Sequence, residues 1–287
     1  MKWSFVRLMT AGILLLSLGL AAVQPAQATS PLEVYTHFPS ANPYAMLPGD
    51  SLTATVRVYK LGITDPAGQG AGISCTLYYS PVALFGGSWL STATAAMSYA
   101  GDSGTSDLYS VTLPSQTVGL KELYYACTDG SYTGTTSSTK NKIVIDAASG
   151  GCVGANQTSN NLYWNGQFHD SFSTTYRDPA GPVATSTASI TLHFRTCMEN
   201  LTEAPKIRIW NLRAGSAATE TLTFDRHELD ASLGGVTFWK FDLPVPATSN
   251  IYYYYFSAVS GTSASFYRDD DPKFYGGGTG AVTTSEG

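Results

Sequence analysis

Residues 51–59 read SLTATVRVY, and their alternation decides the fold class. Leu52, Ala54, Val56 and Val58 fall on one side of an extended chain, and the residues between them fall on the other. A two-residue apolar period marks a strand with one face buried and one face wet. Working outward, stretches 72–79, 92–99, 107–112, 121–128 and 142–145 read as further strands, with 33–37 as a first one. Asp65-Pro66-Ala67-Gly68, Gly86-Gly87, Gly101-Asp102-Ser103-Gly104 and Thr128-Asp129-Gly130 supply the turns between them. No window holds a sustained 3.6-residue apolar stripe. About seven strands in this length predict an immunoglobulin-like β-sandwich over 29–146.

The same logic resumes after 147–154, AASGGCVG, which reads as a glycine-rich linker. Stretches 189–196, 206–212, 219–226, 237–243, 251–259 and 263–267 predict a second sandwich over 155–275. Tyr252-Tyr253-Tyr254-Tyr255 sits in one of these. Alternate tyrosines of a strand face opposite sides, so half pack inward with hydroxyls that need partners, and half face outward. Residues 276–287, GGGTGAVTTSEG, read as a tail or linker to a further domain. The expectation is therefore all-β, with two immunoglobulin-like sandwiches in tandem.

The first 28 residues have the parts of a secretory signal. Lys2 and Arg7 precede an apolar run from Leu8 to Val23, and Ala26-Gln27-Ala28 offers small residues for cleavage before Thr29. The run is too short to span a bilayer, so a secreted or extracytoplasmic product with no membrane anchor is expected after cleavage. Removing Lys2 and Arg7 leaves 14 basic residues against 21 acidic, a net of −7. That charge argues against nucleic acid, which needs a basic footprint. A neutral polysaccharide remains compatible. All four cysteines, Cys75, Cys127, Cys152 and Cys197, lie in the exported part and are expected to pair. Three pairings exist; the sequential one keeps each bridge inside one proposed domain. Zinc is disfavoured because no two cysteines stand close in sequence.

In the second half a series of motifs follows in a familiar order. They are Asn161-Leu162-Tyr163-Trp164-Asn165-Gly166, Phe168-His169-Asp170-Ser171, Tyr176-Arg177-Asp178-Pro179, Gly181-Pro182-Val183 and Phe194-Arg195-Thr196. Tyr252–Phe256, Tyr267-Arg268-Asp269-Asp270-Asp271-Pro272-Lys273 and Gly276-Gly277-Gly278 complete it. Over about 161–282 the chain resembles the β-sandwich domain that precedes the catalytic barrel of bacterial extracellular α-amylase and pullulanase-type glycoside hydrolases. In that family the glycine run leads into the barrel, which holds an aspartate nucleophile and a glutamate acid/base. On this reading both lie past Gly287, so no catalytic residue is assigned within the 287. The first half resembles, through residues 62–73, small sandwich modules of secreted bacterial multidomain proteins.

The resemblance implies a non-catalytic front end of an α-glucan-degrading enzyme, a spacer that also binds starch-type carbohydrate, with a C-terminal catalytic domain as partner. The alternatives are a stand-alone carbohydrate-binding protein and a purely structural or adhesive one. Sugar binding uses flat aromatic faces beside hydrogen-bonding side chains. Trp239 and Trp210 lie within strands and read as core. Trp164, beside Asn165, and Trp89 lie near strand ends and are the preferred platforms, with Tyr163, Tyr176 and Tyr267 as contributors. Asp269, Asp270 and Asp271 form the densest acidic cluster. They read as a solvated turn, with structural calcium as the cofactor alternative. His169, Asp170 and Ser171 read as a hydrogen-bonded loop rather than a triad, since no G-x-S-x-G occurs.

Overall fold

The computed structural model describes residues 30–147, 152, 162–269 and 278–286. The expected signal peptide (1–28), most of the junction 147–154, Asn161, Gly276, Gly277, Asp270, Asp271 and the Asp269 side chain lie outside the described residues. The regular structure of the described chain is nearly all strand; its one helical piece is a 3-10 turn at Trp164–Gly166.

The first half supplies nine strands: β1 (Glu33–Phe38), β2 (Tyr44–Met46), β3 (Leu52–Tyr59), β4 (Ser74–Val82), β5 (Ala93–Ser103), β6 (Ser106–Leu113), β7 (Gly119–Thr128), β8 (Thr133–Thr135) and β9 (Asn141–Ile145). They run in the order β1-β3-β6-β5-β4-β7-β9-β2, with β8 also on β7. Strand β5 turns the corner. Its residues Ala93–Met97 pair with β4, whereas Ser98–Ser103 pair with β6, with a register shift between Tyr99 and Gly101 inside that pairing. A bulge of this kind bends a strand and lets one sheet fold back over its own core. Leu52, Ala54, Val56 and Val58 of β3 are buried as their alternation requires. They share a core with Leu77 of β4, Leu123 and Tyr125 of β7, and Ile143 and Ile145 of β9.

Cys75 pairs with Cys127 and Cys152 with Cys197, the sequential arrangement. The first bridge does not cross between layers. Cys75 and Cys127 stand directly opposite each other on neighbouring strands β4 and β7, with Cα atoms 4.1 Å apart. This is the close spacing of facing residues in an antiparallel pair.

The second half folds as two sheets. Strands β10 (Arg177–Asp178), β11 (Ser189–Cys197), β14 (Thr223–Asp230) and β15 (Gly234–Pro244) form one, in the order β10-β11-β15-β14. Strands β12 (Lys206–Asn211), β13 (Ser216–Thr221), β16 (Tyr252–Ser260), β17 (Ser263–Asp269) and β18 (Gly280–Thr283) form the other, in the order β13-β12-β16-β17-β18. Their inner faces meet through Leu192, Phe194 and Trp239 on one side and Ile207, Ile209 and Phe256 on the other. Phe194 stacks on Phe256 with ring centroids 4.7 Å apart.

Two elements differ from expectation. The stretch 219–226 is two strands, β13 and β14, which belong to different sheets. The chain crosses at Leu222, whose side chain is buried and whose N–H bonds the Pro205 carbonyl at 2.9 Å. No glycine or proline marks the crossing. The segment read as a tail contributes β18, which pairs with β17 from Phe266↔Thr283 to Asp269↔Gly280.

Both halves belong to one compact unit. Met198 packs with Val82, Leu120 and Val144 at their junction, and His227 Nε2 lies 3.0 Å from the Val82 carbonyl. Close approach there requires glycine. A Cβ on Gly235 would stand 2.5 Å from Met198 and 3.0 Å from Asp146, and one on Gly119 would stand 2.9 Å from the His227 ring.

Candidate functional site

The site begins with a difference in strand length. Strand β16 pairs with β12 over residues 252–257, but with β17 only from Phe256 onward. Tyr252–Tyr255 therefore have a strand along one edge alone among the described residues. A cleft of about 730 Å³ lies in this opening. Loop residues 169–185 and the 243–251 segment leaving β15 form its other walls.

Alternation sorts the four tyrosines. Tyr252 and Tyr254 pack toward the core with Phe256. Tyr253 and Tyr255 are carried on the outer face of the sheet, opposite Trp210 and Arg208 of β12. Trp210 and Tyr253 are directly paired and each 40% exposed, so they form a part-exposed aromatic surface at the cleft mouth. Tyr255 donates to the Glu286 carboxylate, and Arg208 lies 3.5 Å from the same group. Phe266 meets Tyr255 edge-on at 5.9 Å, which extends the aromatic row.

The inner end is fixed by His169. Its Nδ1 donates to the His193 carbonyl at 2.7 Å, which leaves Nε2 to accept from the Tyr254 hydroxyl at 3.0 Å. Burial pushes the imidazole down to about 4 and the Tyr254 phenol up to about 12, so both are neutral near pH 7. The Tyr267 hydroxyl donates to the His169 carbonyl and accepts from the Gly280 N–H, both at 2.8 Å. Gly278 donates to Ser171 Oγ at 2.5 Å and accepts from the Ser171 N–H at 3.0 Å. The segment before β18 is thereby tied to the 169–171 loop. His169 has both ring nitrogens engaged elsewhere, so it does not serve Ser171 as a base in this arrangement.

The residues singled out from sequence are dispersed. Trp164 is half-buried against the second core, and its Nε1 is enclosed without a partner among the described residues. Tyr163 packs on the cluster around Cys152 and Cys197, its N–H bonded to Asn200 Oδ1 at 2.7 Å, and Asn165 is half-buried beside it. Tyr176 is buried between Phe168 and Phe238. Tyr267 is buried too, yet it lines the cleft. Trp89 lies in the first half, where Nε1 donates to Glu122 at 2.9 Å and Lys140 covers its ring at 4.9 Å.

Trp210, read as core from its place in a strand, is instead 40% exposed, and the Tyr252–Tyr255 run, read only for its inward and outward parity, forms a cleft wall. Their signal was present. In KIRIW, Ile207 and Ile209 take the inner face, so the same alternation sends Arg208 and Trp210 outward. Among the described residues no three His, Cys, Asp or Glu gather into a group able to hold a metal ion. No helix among them is long and apolar enough to cross a membrane.

No family model matches the chain, and no curated protein matches it.

Proposed function

We propose that this chain is a non-catalytic, carbohydrate-binding module pair that serves an extracellular α-glucan-degrading glycoside hydrolase. The observation that carries the reading is the paired Trp210 and Tyr253 at the mouth of a tyrosine-walled cleft. Exposed indole and phenol faces stack on the apolar faces of pyranose rings, and contiguous exposed apolar patches mark interaction sites. Neutral phenols and backbone carbonyls around the cleft provide hydrogen bonds suited to hydroxyl groups. Support for the α-glucan class comes from the ordered motifs between Leu162 and Gly278, and support for export from the leader and two disulfides. On this reading the two halves are immunoglobulin-like sandwiches, residues 1–28 are the cleaved signal, and the catalytic barrel is a separate partner.

Affinity electrophoresis of residues 29–287 in gels containing soluble starch tests the proposal. Native protein should be retarded, Trp210→Ala and Tyr253→Ala should migrate freely, and Trp89→Ala should remain retarded. Absence of retardation for the native protein would remove the binding role and leave a scaffold. Retardation unchanged in Trp210→Ala and Tyr253→Ala would move the site elsewhere.

A further inference from the structure

The charge around the cleft departs from that of the chain. The protein carries 21 acidic residues against 16 basic ones, yet Arg177, Arg208 and Arg268 line the cleft and no aspartate or glutamate is among its described lining residues. The three arginines are not equivalent. Arg208 shares Glu286, and Arg268 is exposed at the rim. Arg177 is half-buried and stands at the inner end. It sits on β10 directly opposite Leu192, so its side chain takes the same face as the core-facing Leu192. It lines the cleft together with His169 and Tyr254.

Arg177 is under-used where it stands. Its NH2 group donates to the Gly181 carbonyl at 2.6 Å, and no carboxylate of the described residues lies within ion-pair distance. A guanidinium offers five N–H donors in a planar fork suited to carboxylate and phosphate. Holding such a cation partly out of water with one neutral acceptor is costly, and an anion delivered by a ligand offsets that cost. His169 cannot be this ligand's counter-charge, since it is neutral and its nitrogens are bonded.

We propose that the inner end of the cleft takes an anionic substituent on the bound sugar, a carboxylate or an ester phosphate, against Arg177. Trp210 and Tyr253 at the mouth hold the pyranose face. This deepens the carbohydrate reading and rests on it. It replaces a neutral glucan with an acidic or phosphorylated one as the preferred ligand.

Titration calorimetry with three probes tests it: maltoheptaose, a 6-phosphorylated maltooligosaccharide of similar length, and an oligoglucuronate. At least one anionic probe should bind about tenfold or more tightly than maltoheptaose at low salt, as a charge-assisted contact provides. The phosphate and carboxylate arms identify which anion the fork prefers. Arg177→Gln should bring that probe down to the level of maltoheptaose, and Arg177→Lys should restore part of the difference. Arg268→Gln, at the exposed rim, should lower binding by less than threefold, and unchanged maltoheptaose binding by Arg177→Gln shows that this variant is folded. Equal binding of neutral and anionic probes would overturn this inference and leave the α-glucan reading intact. Oligoglucuronate binding that depends on Arg177, with no binding of either maltooligosaccharide, would uphold it and remove the α-glucan reading. No binding of any probe would overturn both.

Discussion

The outer faces of the two halves carry similar aromatic residues and use them differently. In the first half, Tyr78 and Tyr124 stack in parallel at 4.8 Å, and Trp89 leans on Tyr124 at 5.5 Å. Glu122 accepts from Trp89 Nε1, the Gly86 N–H and Lys140, so the indole N–H is anchored to a carboxylate that the rest of the half also holds. In the second half, Trp210 and Tyr253 lie on a sheet whose neighbouring strand has parted, and each remains 40% exposed. The residue types are the same. Whether a neighbouring strand or loop closes over them separates structural use from availability.

The comparison can be broken at its strongest point first. Trp239 is the second half's fully buried tryptophan, packed against Phe224 at 6.1 Å with Nε1 bonded to Thr196 Oγ1 at 2.9 Å. Trp239→Ala should cost about 4 kcal/mol, from lost burial, an internal cavity and an orphaned hydroxyl. The shift of the urea midpoint measures it. A loss below about 1 kcal/mol would mean that the two sheets do not depend on this ring to meet.

Acid should affect the second half more than the first. Three of the four histidines, His169, His193 and His227, lie there, and burial lowers all three. For His169 the unfolded ring takes up a proton near 6.5 and the folded ring only near 4. Between those values the unfolded chain binds more protons, so stability falls as the pH falls, and the loss is complete below about 4. The depression of His169 amounts to about 3 kcal/mol across that window, and His193 and His227 act in the same direction. Urea midpoints measured from pH 7 to pH 4.5 should decline, and His169→Gln should flatten the decline. A flat native profile would show that the 169–171 loop opens without cost.

These elements also show what the sequence could and could not disclose. The alternation of 51–59 gave β3 within a residue, because each inward side chain is apolar and each flanking turn carries its own chemistry. The crossing at Leu222 was hidden, since β13 and β14 join without a turn residue and the alternation runs through. β18 was hidden by composition: Gly280 and Thr283 on an edge strand bury little, and the pairing with β17 and the contact of Val282 with the core that order it are tertiary. The inward and outward tyrosines followed from parity. The cleft did not, because it exists where two strands stop pairing, and pairing is a property of tertiary register.

A smaller effect sharpens the contrast from the first half. Glu122→Ala should cost about 2 kcal/mol by leaving the Gly86 N–H and the Trp89 indole N–H without their acceptor. It should also free Trp89, seen as a red-shifted and more quenchable tryptophan emission. An unchanged emission would mean that stacking on Tyr124 alone holds the ring, and that a carboxylate is not what distinguishes the two aromatic faces.

The smallest stability effect belongs to the residue given the largest functional one. Trp210 is paired across the sheet with Tyr253 and remains 40% exposed, so little apolar area returns to water when it is removed. Trp210→Ala should move stability by about 0.5 kcal/mol or less, as surface substitutions do, while abolishing retardation in starch. The two measurements together decide the matter. Loss of binding with stability intact marks a surface kept open for a ligand. Loss of both, by more than about 2 kcal/mol, would mean that Trp210 holds the β12–β16 pair in place, and the contrast between the two halves would then be one of degree.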